Sequence, residues 1–242
     1  MTLGRSAFLG SQRFGSAIWS GDIKSTFEAL RFSICSGLNM AISGIPWWTT
    51  DIGGFHSGEI ESEYFRELIV RWFQYGTFCP IFRLHGVRLQ KGKKNQRSSI
   101  QGELQTGEVD NEVWSFGENA YRIIKPYMLL RERMRPYISG LMQAASETGI
   151  APMRPLFIDF PQDERAWEIE DQFMFGRDIL VAPVYEHQST SRSVYLPHNT
   201  RWKDIWSGKY SDGGHTVLVD APLERIPVFV RSESDVRTHI DI

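Results

Sequence analysis

Between residues 17 and 84 the chain runs through one order again and again: a short apolar run, a polar loop, an amphipathic stretch, then the next apolar run. The runs are 17–19 (AIW), 38–45 (LNMAISGI) and 79–84 (CPIFRL). Each is apolar on both faces of an alternating strand, which suits a strand covered above and below. The stretches between them have helical spacing. Phe27, Leu30, Ile34 and Leu38 recur three or four positions apart, and Ser25 with Glu28 makes a capping box ahead of them, with an end near Gly37. Phe65, Leu68, Ile69, Trp72 and Phe73 mark a second helix over 61–75. Short buried strands joined by helical crossovers make a parallel sheet, so the first part of the chain is expected to be α/β.

A further helical stretch covers 118–147, where Pro126 and Pro136 are expected to kink or divide it. The texture changes after Gly149. Short runs with β-branched residues follow at 179–184 (ILVAPV), 193–196 (SVYL), 202–206 (WKDIW), 216–219 (TVLV) and 227–230 (PVFV), with turn residues between them. That is the pattern of an antiparallel β module. The boundary is expected within 149–178, and the chain is divided into units 1–170 and 171–242. A length of 242 residues with 41% hydrophobic content supplies one large domain, or one plus part of another.

Charge excludes several classes of partner. With 27 basic and 29 acidic residues, nothing favours nucleic acid, and the basic run 91–97 (KGKKNQR) reads as a solvated loop inside a polar stretch that extends to Asn111. No apolar run approaches the ~18 residues of a membrane span, so no membrane partner is expected. Cys35 and Cys79 lie among apolar residues and are expected to be buried free thiols. These features, with an N-terminus unlike a signal peptide, predict a cytoplasmic setting. No His or Cys pair has metal-ligand spacing, and there is no G-x-S-x-G elbow or P-loop. Neither a metal nor another cofactor is expected.

In a β/α barrel, chemistry sits at the C-terminal ends of the strands. The first loop here carries Trp19 and Asp22, the second Trp47, Trp48, Asp51 and Phe55, and the third Arg83 and His85. The protein is rich in aromatics, with eight Trp, eight Tyr and fifteen Phe. Core packing explains most aromatics in any protein. A sugar site explains those beside carboxylates, because pyranose C–H faces stack on rings. Cleaving a glycosidic bond needs two carboxyl groups. Asp22 is one candidate, although Ser-Gly-Asp is also ordinary turn composition. Asp51 is its rival, but Asp-Ile-Gly-Gly fits a carboxylate that caps a turn, and that structural role is preferred. Glu59, Glu61 and Glu63 lie at a helix start, where exposure is the simpler reading. Pattern alone leaves the second carboxylate open.

At these residues the sequence resembles glycoside hydrolase family 31, the retaining α-glucosidases and α-xylosidases. The matching stretches are GRSAFLGSQRFG with IWSGD, then GLNMAISGIPWWTTDIGGF, RWFQYGTFCPIFRLHG, LRERMRPYI, MRPLFIDFP, DQFMFGRDILVAPV, VYLP and IPVFVR. The resemblance implies the C-terminal half of a (β/α)8 TIM barrel followed by an antiparallel β-sandwich domain. It implies that Asp22 is the general acid/base and that Arg5 and Trp19 contact the sugar at the cleaved residue. Phe55 and His85 would line the same subsite. The substrate would be an oligosaccharide or α-glycoside. The family's nucleophile, an aspartate on an earlier barrel strand, is expected to precede Arg5 and so to lie outside this chain. The alternative is a non-catalytic carbohydrate-binding or inactive remnant protein that kept the pocket's aromatics.

Overall fold

The computed structural model describes residues 2–56, 58–90, 108–234, 236 and 240. The basic run 91–97 and most of its polar loop lie outside the described residues. Strands β1 (Thr2–Gly4), β2 (Ser16–Trp19) and β3 (Trp48–Thr49) form one parallel sheet in that order. Helix α1 (Phe27–Ile42) makes the crossover from β2 to β3. The chain then runs through β4 (Gly58–Glu59), α2 (Glu63–Thr77), β5 (Arg88–Leu89) and β6 (Glu108–Val109).

Four expectations shift here. The cap of α1 is Thr26, whose hydroxyl accepts from the Ala29 N–H at 3.1 Å, while the Ser25 hydroxyl is buried without a protein partner. The run 38–45 is not a strand: α1 continues to Ile42, because Leu38 extends the buried stripe of Leu30 and Ile34 by one more turn. Gly37 does not end the helix. A Cβ there would lie 2.6 Å from the Trp48 Nε1, so the glycine lets α1 press against β3. The run 79–84 lies beside β3, with Ile81 N–H bonded to the Trp48 carbonyl, but contributes only an isolated parallel bridge between Ile52 and Leu84.

Past the strand ends, the loops stay bonded to each other. Lys24 bridges His56 in parallel, and both the Phe55 and His56 N–H groups donate to the Ile23 carbonyl. The Ile52 N–H donates to the Arg83 carbonyl, and the Val87 N–H to the Phe55 carbonyl. This backbone stitching sets where residues 22, 51, 55 and 85 lie.

Helices α3 (Glu118–Arg133) and α4 (Arg135–Thr148) divide at Met134, just before Pro136, while Pro126 is accommodated inside α3. Then come β7 (Met153–Arg154), the short α5 (Leu156–Asp159), β8 (Phe173–Phe175), β9 (Ile179–Val181), β10 (Ser191–Leu196), β11 (Arg201–Asp204), β12 (Tyr210–Asp212), β13 (His215–Asp220) and β14 (Val228–Arg231). One sheet has the order β12-β11-β14-β9-β8-β7, with every pair antiparallel, and β10 pairs antiparallel with β13. The sheet thus takes in residues as early as Met153.

Alternation along its strands separates two cores. Phe173, Phe175, Ile179, Val181, Val228 and Val230 face the helices and pack with α1, α2 and α3 residues such as Ile34, Trp72 and Ile124. Met174, Leu180 and Phe229 face the other way and pack with Val194, Leu196 and Trp202. The period of two along each strand puts neighbouring residues on opposite faces. Cys79 is buried, as expected; Cys35 is only half-buried, and its thiol donates to the Glu170 carbonyl at 3.4 Å.

Candidate active site

Asp22 lies three residues past the end of β2, in a loop whose Ile23 carbonyl is held by Phe55 and His56. Its carboxylate is partly exposed and accepts from Arg5 Nη1 at 3.3 Å. Arg5, one residue beyond β1, is mostly exposed, so this pair alone contributes little to stability. Both residues line a groove of about 600 Å³ with Trp19, Ser20, Phe32 and Met40. The groove runs from the strand ends along the exposed side of α1.

Trp19 is half-buried, and its indole Nε1 is shielded from solvent without a protein partner. The guanidinium of Arg83 lies 6.0 Å from the centre of its ring. Phe55 and His85 do not line the groove. They contact each other with ring centroids 5.4 Å apart, beside the DIGGF turn, and His85 is exposed. The structure therefore gathers Arg5, Trp19 and Asp22 at one groove and brings Phe55 and His85 into contact from the two adjoining loops.

The preferred reading of Asp51 as a turn cap is not what the structure shows. Its backbone carbonyl closes the turn by accepting from Gly54 N–H, but its carboxylate is fully buried and forms an ion pair with Arg83. Burial pushes the Asp51 carboxyl up from its ordinary range; Arg83 and His85 oppose that shift, and the charge of Asp22 adds to it. Of the other acids, Glu61 and Glu63 are exposed, as expected, and Glu59 is half-buried.

Sequence reasoning missed two supports of this region. Arg88 is buried and donates to the carbonyls of Gly54 and Ile52 at 2.8 and 2.9 Å, clamping the DIGGF turn from beneath. Burial lowers its pKa to about 10. Gly54 sits at φ +76 with its Cα facing the Lys24 carbonyl, where a Cβ would approach to 2.5 Å. The second support is a hydroxyl chain: Trp72 Nε1 donates to Thr50 Oγ1 at 3.2 Å, and Thr50 Oγ1 donates to Ser20 Oγ at 3.2 Å. Only the double glycine signalled a special turn; nothing local marks Arg88 or Ser20. Among the described residues no group of His, Cys, Asp and Glu is arranged to hold a metal ion.

A parallel sheet whose strand ends present a carboxylate, an arginine and an indole around one groove, followed by an antiparallel β unit, has the make-up of a barrel-type glycosidase. Residues 1–141 match the Glycosyl hydrolases family 31 TIM-barrel domain, and residues 149–234 match the Glycosyl hydrolase family 31 C-terminal domain. The chain belongs to glycoside hydrolase family 31, as its motifs imply. It is 40% identical over 230 residues to an alpha-xylosidase of Saccharolobus solfataricus, covering 95% of this chain and 29% of that protein. It is 36% identical over 238 residues to alpha-glucosidase 2 of Bacillus thermoamyloliquefaciens, covering 97% of this chain and 27% of that protein. A solved GH31 alpha-xylosidase from a soil metagenome, complexed with xylose, superposes with a TM-score of 0.90 at 52% identity, over 98% of this chain and 35% of that one. The chain thus spans about a third or less of the length of these relatives.

Proposed function

We propose that the chain is part of a retaining α-glycosidase in which Asp22 is the general acid/base. In this reading the part before Gly149 belongs to the C-terminal half of a (β/α)8 barrel, and the antiparallel unit that opens with β7 belongs to a β-sandwich. The observation that carries it is Asp22 at a strand end, in one groove with Arg5 and Trp19. Arg5 is a donor suited to sugar hydroxyls, the Trp19 ring offers a face to a pyranose, and Phe55 and His85 extend the subsite from the two adjoining loops. The nucleophilic carboxylate comes from barrel strands outside this chain.

The chemistry is a double displacement. Asp22 gives its proton to the glycosidic oxygen as the bond from that oxygen to the anomeric carbon breaks, and the nucleophile forms an ester at that carbon. Asp22, now a carboxylate, takes a proton from water as the water attacks the anomeric carbon and releases the nucleophile. Two inversions give net retention.

An α-xyloside is the preferred substrate. The support is the 52% identity to a solved alpha-xylosidase and the 40% identity to the Saccharolobus solfataricus alpha-xylosidase. An α-glucoside is the second reading, favoured by the Bacillus alpha-glucosidase 2. Comparing kcat/KM for aryl α-xyloside and aryl α-glucoside, in the enzyme that carries the complete barrel, decides between them. In that enzyme Asp22→Ala should slow a natural glycoside by roughly 10²–10⁴-fold, the range for lost general acid catalysis. An aryl substrate whose leaving group needs no proton should lose less in the first step. Azide should rescue the second step and yield an α-glycosyl azide. Equal losses on both substrates with no azide effect would remove Asp22 from this role.

A further inference from the structure

Asp51 is a fully buried carboxylate two residues past the end of β3, close enough to feel the charge of Asp22. Oδ1 is taken by Arg83, while Oδ2 is sealed from solvent with no protein partner. A buried, half-satisfied carboxylate is an expensive feature for a mere turn. Its surroundings suggest what it does. Arg83, held by Asp51, spans the gap to the Trp19 ring. Ser20, two residues before Asp22, accepts from the backbone N–H of Asp51 at 3.4 Å and from the Thr50 hydroxyl at 3.2 Å. Thr50 is itself held by the indole N–H of the buried Trp72 on α2. Contacts from the core and the end of β3 therefore reach Ser20 through Thr50 and Trp19 through Arg83, the two residues that lead into the Asp22 turn.

We propose that Asp51 and Arg83 are a positioning pair for Asp22: their contact, with the Trp72–Thr50–Ser20 chain, fixes the Trp19–Asp22 loop and balances the charge that Asp22 faces. The inference rests on Asp22 being the acid/base. Neither Asp51 nor Arg83 needs to touch the sugar. The charged and titratable groups around the pair are Asp22 and Arg5 from the first two strand ends, and His85 and Arg88 from the third loop and β5. With the pair intact, its two charges offset each other. Removing Asp51 alone leaves Arg83 to favour the ionised form of Asp22. Removing Arg83 alone lets burial raise the Asp51 carboxyl further toward its neutral form and frees the Trp19 side of the loop, so that variant acts mainly through lost positioning.

The test uses the enzyme carrying the complete barrel, with Asp51→Asn, Arg83→Gln and the double variant. A natural glycoside is compared with an aryl glycoside whose leaving group needs no proton. Each single variant should lower kcat on the natural glycoside by about 10–100-fold, the scale of an ångström-level misplacement, with a smaller loss on the aryl glycoside. The alkaline limb of the pH–kcat/KM profile should move to lower pH in Asp51→Asn, where Arg83 is left without its counter-charge. The double variant should lose less than the product of the two singles. Lower thermal stability with wild-type kcat, leaving-group dependence and pH limbs would make the pair scaffold only and overturn the proposal. If Asp51→Asn does not fold, Ser20→Ala carries the same question: it should show the same leaving-group-dependent loss, on the order of 10-fold, and unchanged kinetics would overturn the proposal. Asp22→Ala with azide separates the two failures. Rescue there together with wild-type behaviour in the pair variants rejects only the pair's role; no rescue rejects Asp22 and the pair together.

Discussion

At the scale of single residues, burial works against the Asp51 charge, and that has a consequence for stability as well as for chemistry. Its carboxyl is raised first by burial and further by Asp22, against the pull of Arg83 and His85. A group whose folded value lies above its unfolded value keeps its proton longer in the folded state. Over the window from the ordinary carboxylate value up to the raised one, the folded chain binds more protons than the unfolded chain. Stability therefore falls as pH rises through that window, and the contribution is flat below and above it. Asp51→Asn should remove this part of the slope. Denaturant titrations across the acid range would check it, and an Asn variant with the wild-type slope would contradict it. Asp51 also illustrates what a sequence can and cannot tell. Asp-Ile-Gly-Gly announces a tight turn, and the turn is there, closed by the Asp51 carbonyl. The carboxylate's partner lies 32 residues away and leaves no local mark. Asp22 was legible because a strand-like run ends three residues before it; Arg5, in the stretch before β2, was legible only through family motifs.

At the scale of elements, side chains of α2 tie the two parts of the chain together, Arg71 foremost. Arg71 is buried and donates to the carbonyls of Ser189, Ala221, Pro222 and Arg225. Its neighbour Gln74 donates to the Leu223 carbonyl at 2.7 Å, and Tyr127 on α3 donates to the Glu224 carbonyl at 2.7 Å. The segment between β13 and β14 has no ladder of its own over this stretch, so these side chains satisfy its carbonyls. Arg71→Leu would keep the apolar stem and strand those acceptors, at about 1–3 kcal/mol for each buried group left unpaired. The expected result is a lower melting temperature and faster proteolysis at 221–226 than elsewhere, seen by mass spectrometry of the first fragments. Cleavage spread evenly over the chain would count against the staple. Elements were legible where local pattern and burial agree, as in α2 and in the alternation of β14. They were not where a long contact decides: Leu38 reads as well in a strand as in a helix until Trp48 packs on Gly37, and Arg71 reaches carbonyls up to 154 residues away.

At the scale of the whole molecule, the parallel sheet has an open side. Among the described residues β1 pairs only with β2, so its other edge carries unpaired backbone groups. In the connection between β1 and β2, Phe8, Leu9 and Phe14 are 70%, 76% and 68% exposed, and Phe32 on α1 is 61% exposed along the groove. A bare strand edge and exposed apolar side chains each favour association, since backbone pairing and apolar burial both reward contact with another chain. Expressed by itself, this 242-residue chain should therefore associate through β1 and its neighbouring loop. Sedimentation should show species larger than a monomer, and Phe8→Glu with Leu9→Lys should shift the distribution toward monomer without altering the β unit. On the proposed reading turnover should be absent, because Asp22 as acid/base cannot replace the covalent role of a nucleophile. Adding the upstream barrel strands in trans should cover the same edge, lower self-association and restore some hydrolysis of aryl α-xyloside. The two effects are tied: a variant that blocks association through β1 should also block rescue. Robust turnover by the isolated monomer would mean that a carboxylate within the chain attacks the sugar. Asp51 would then be the first suspect, and it would have to leave both Arg83 and the core to reach it.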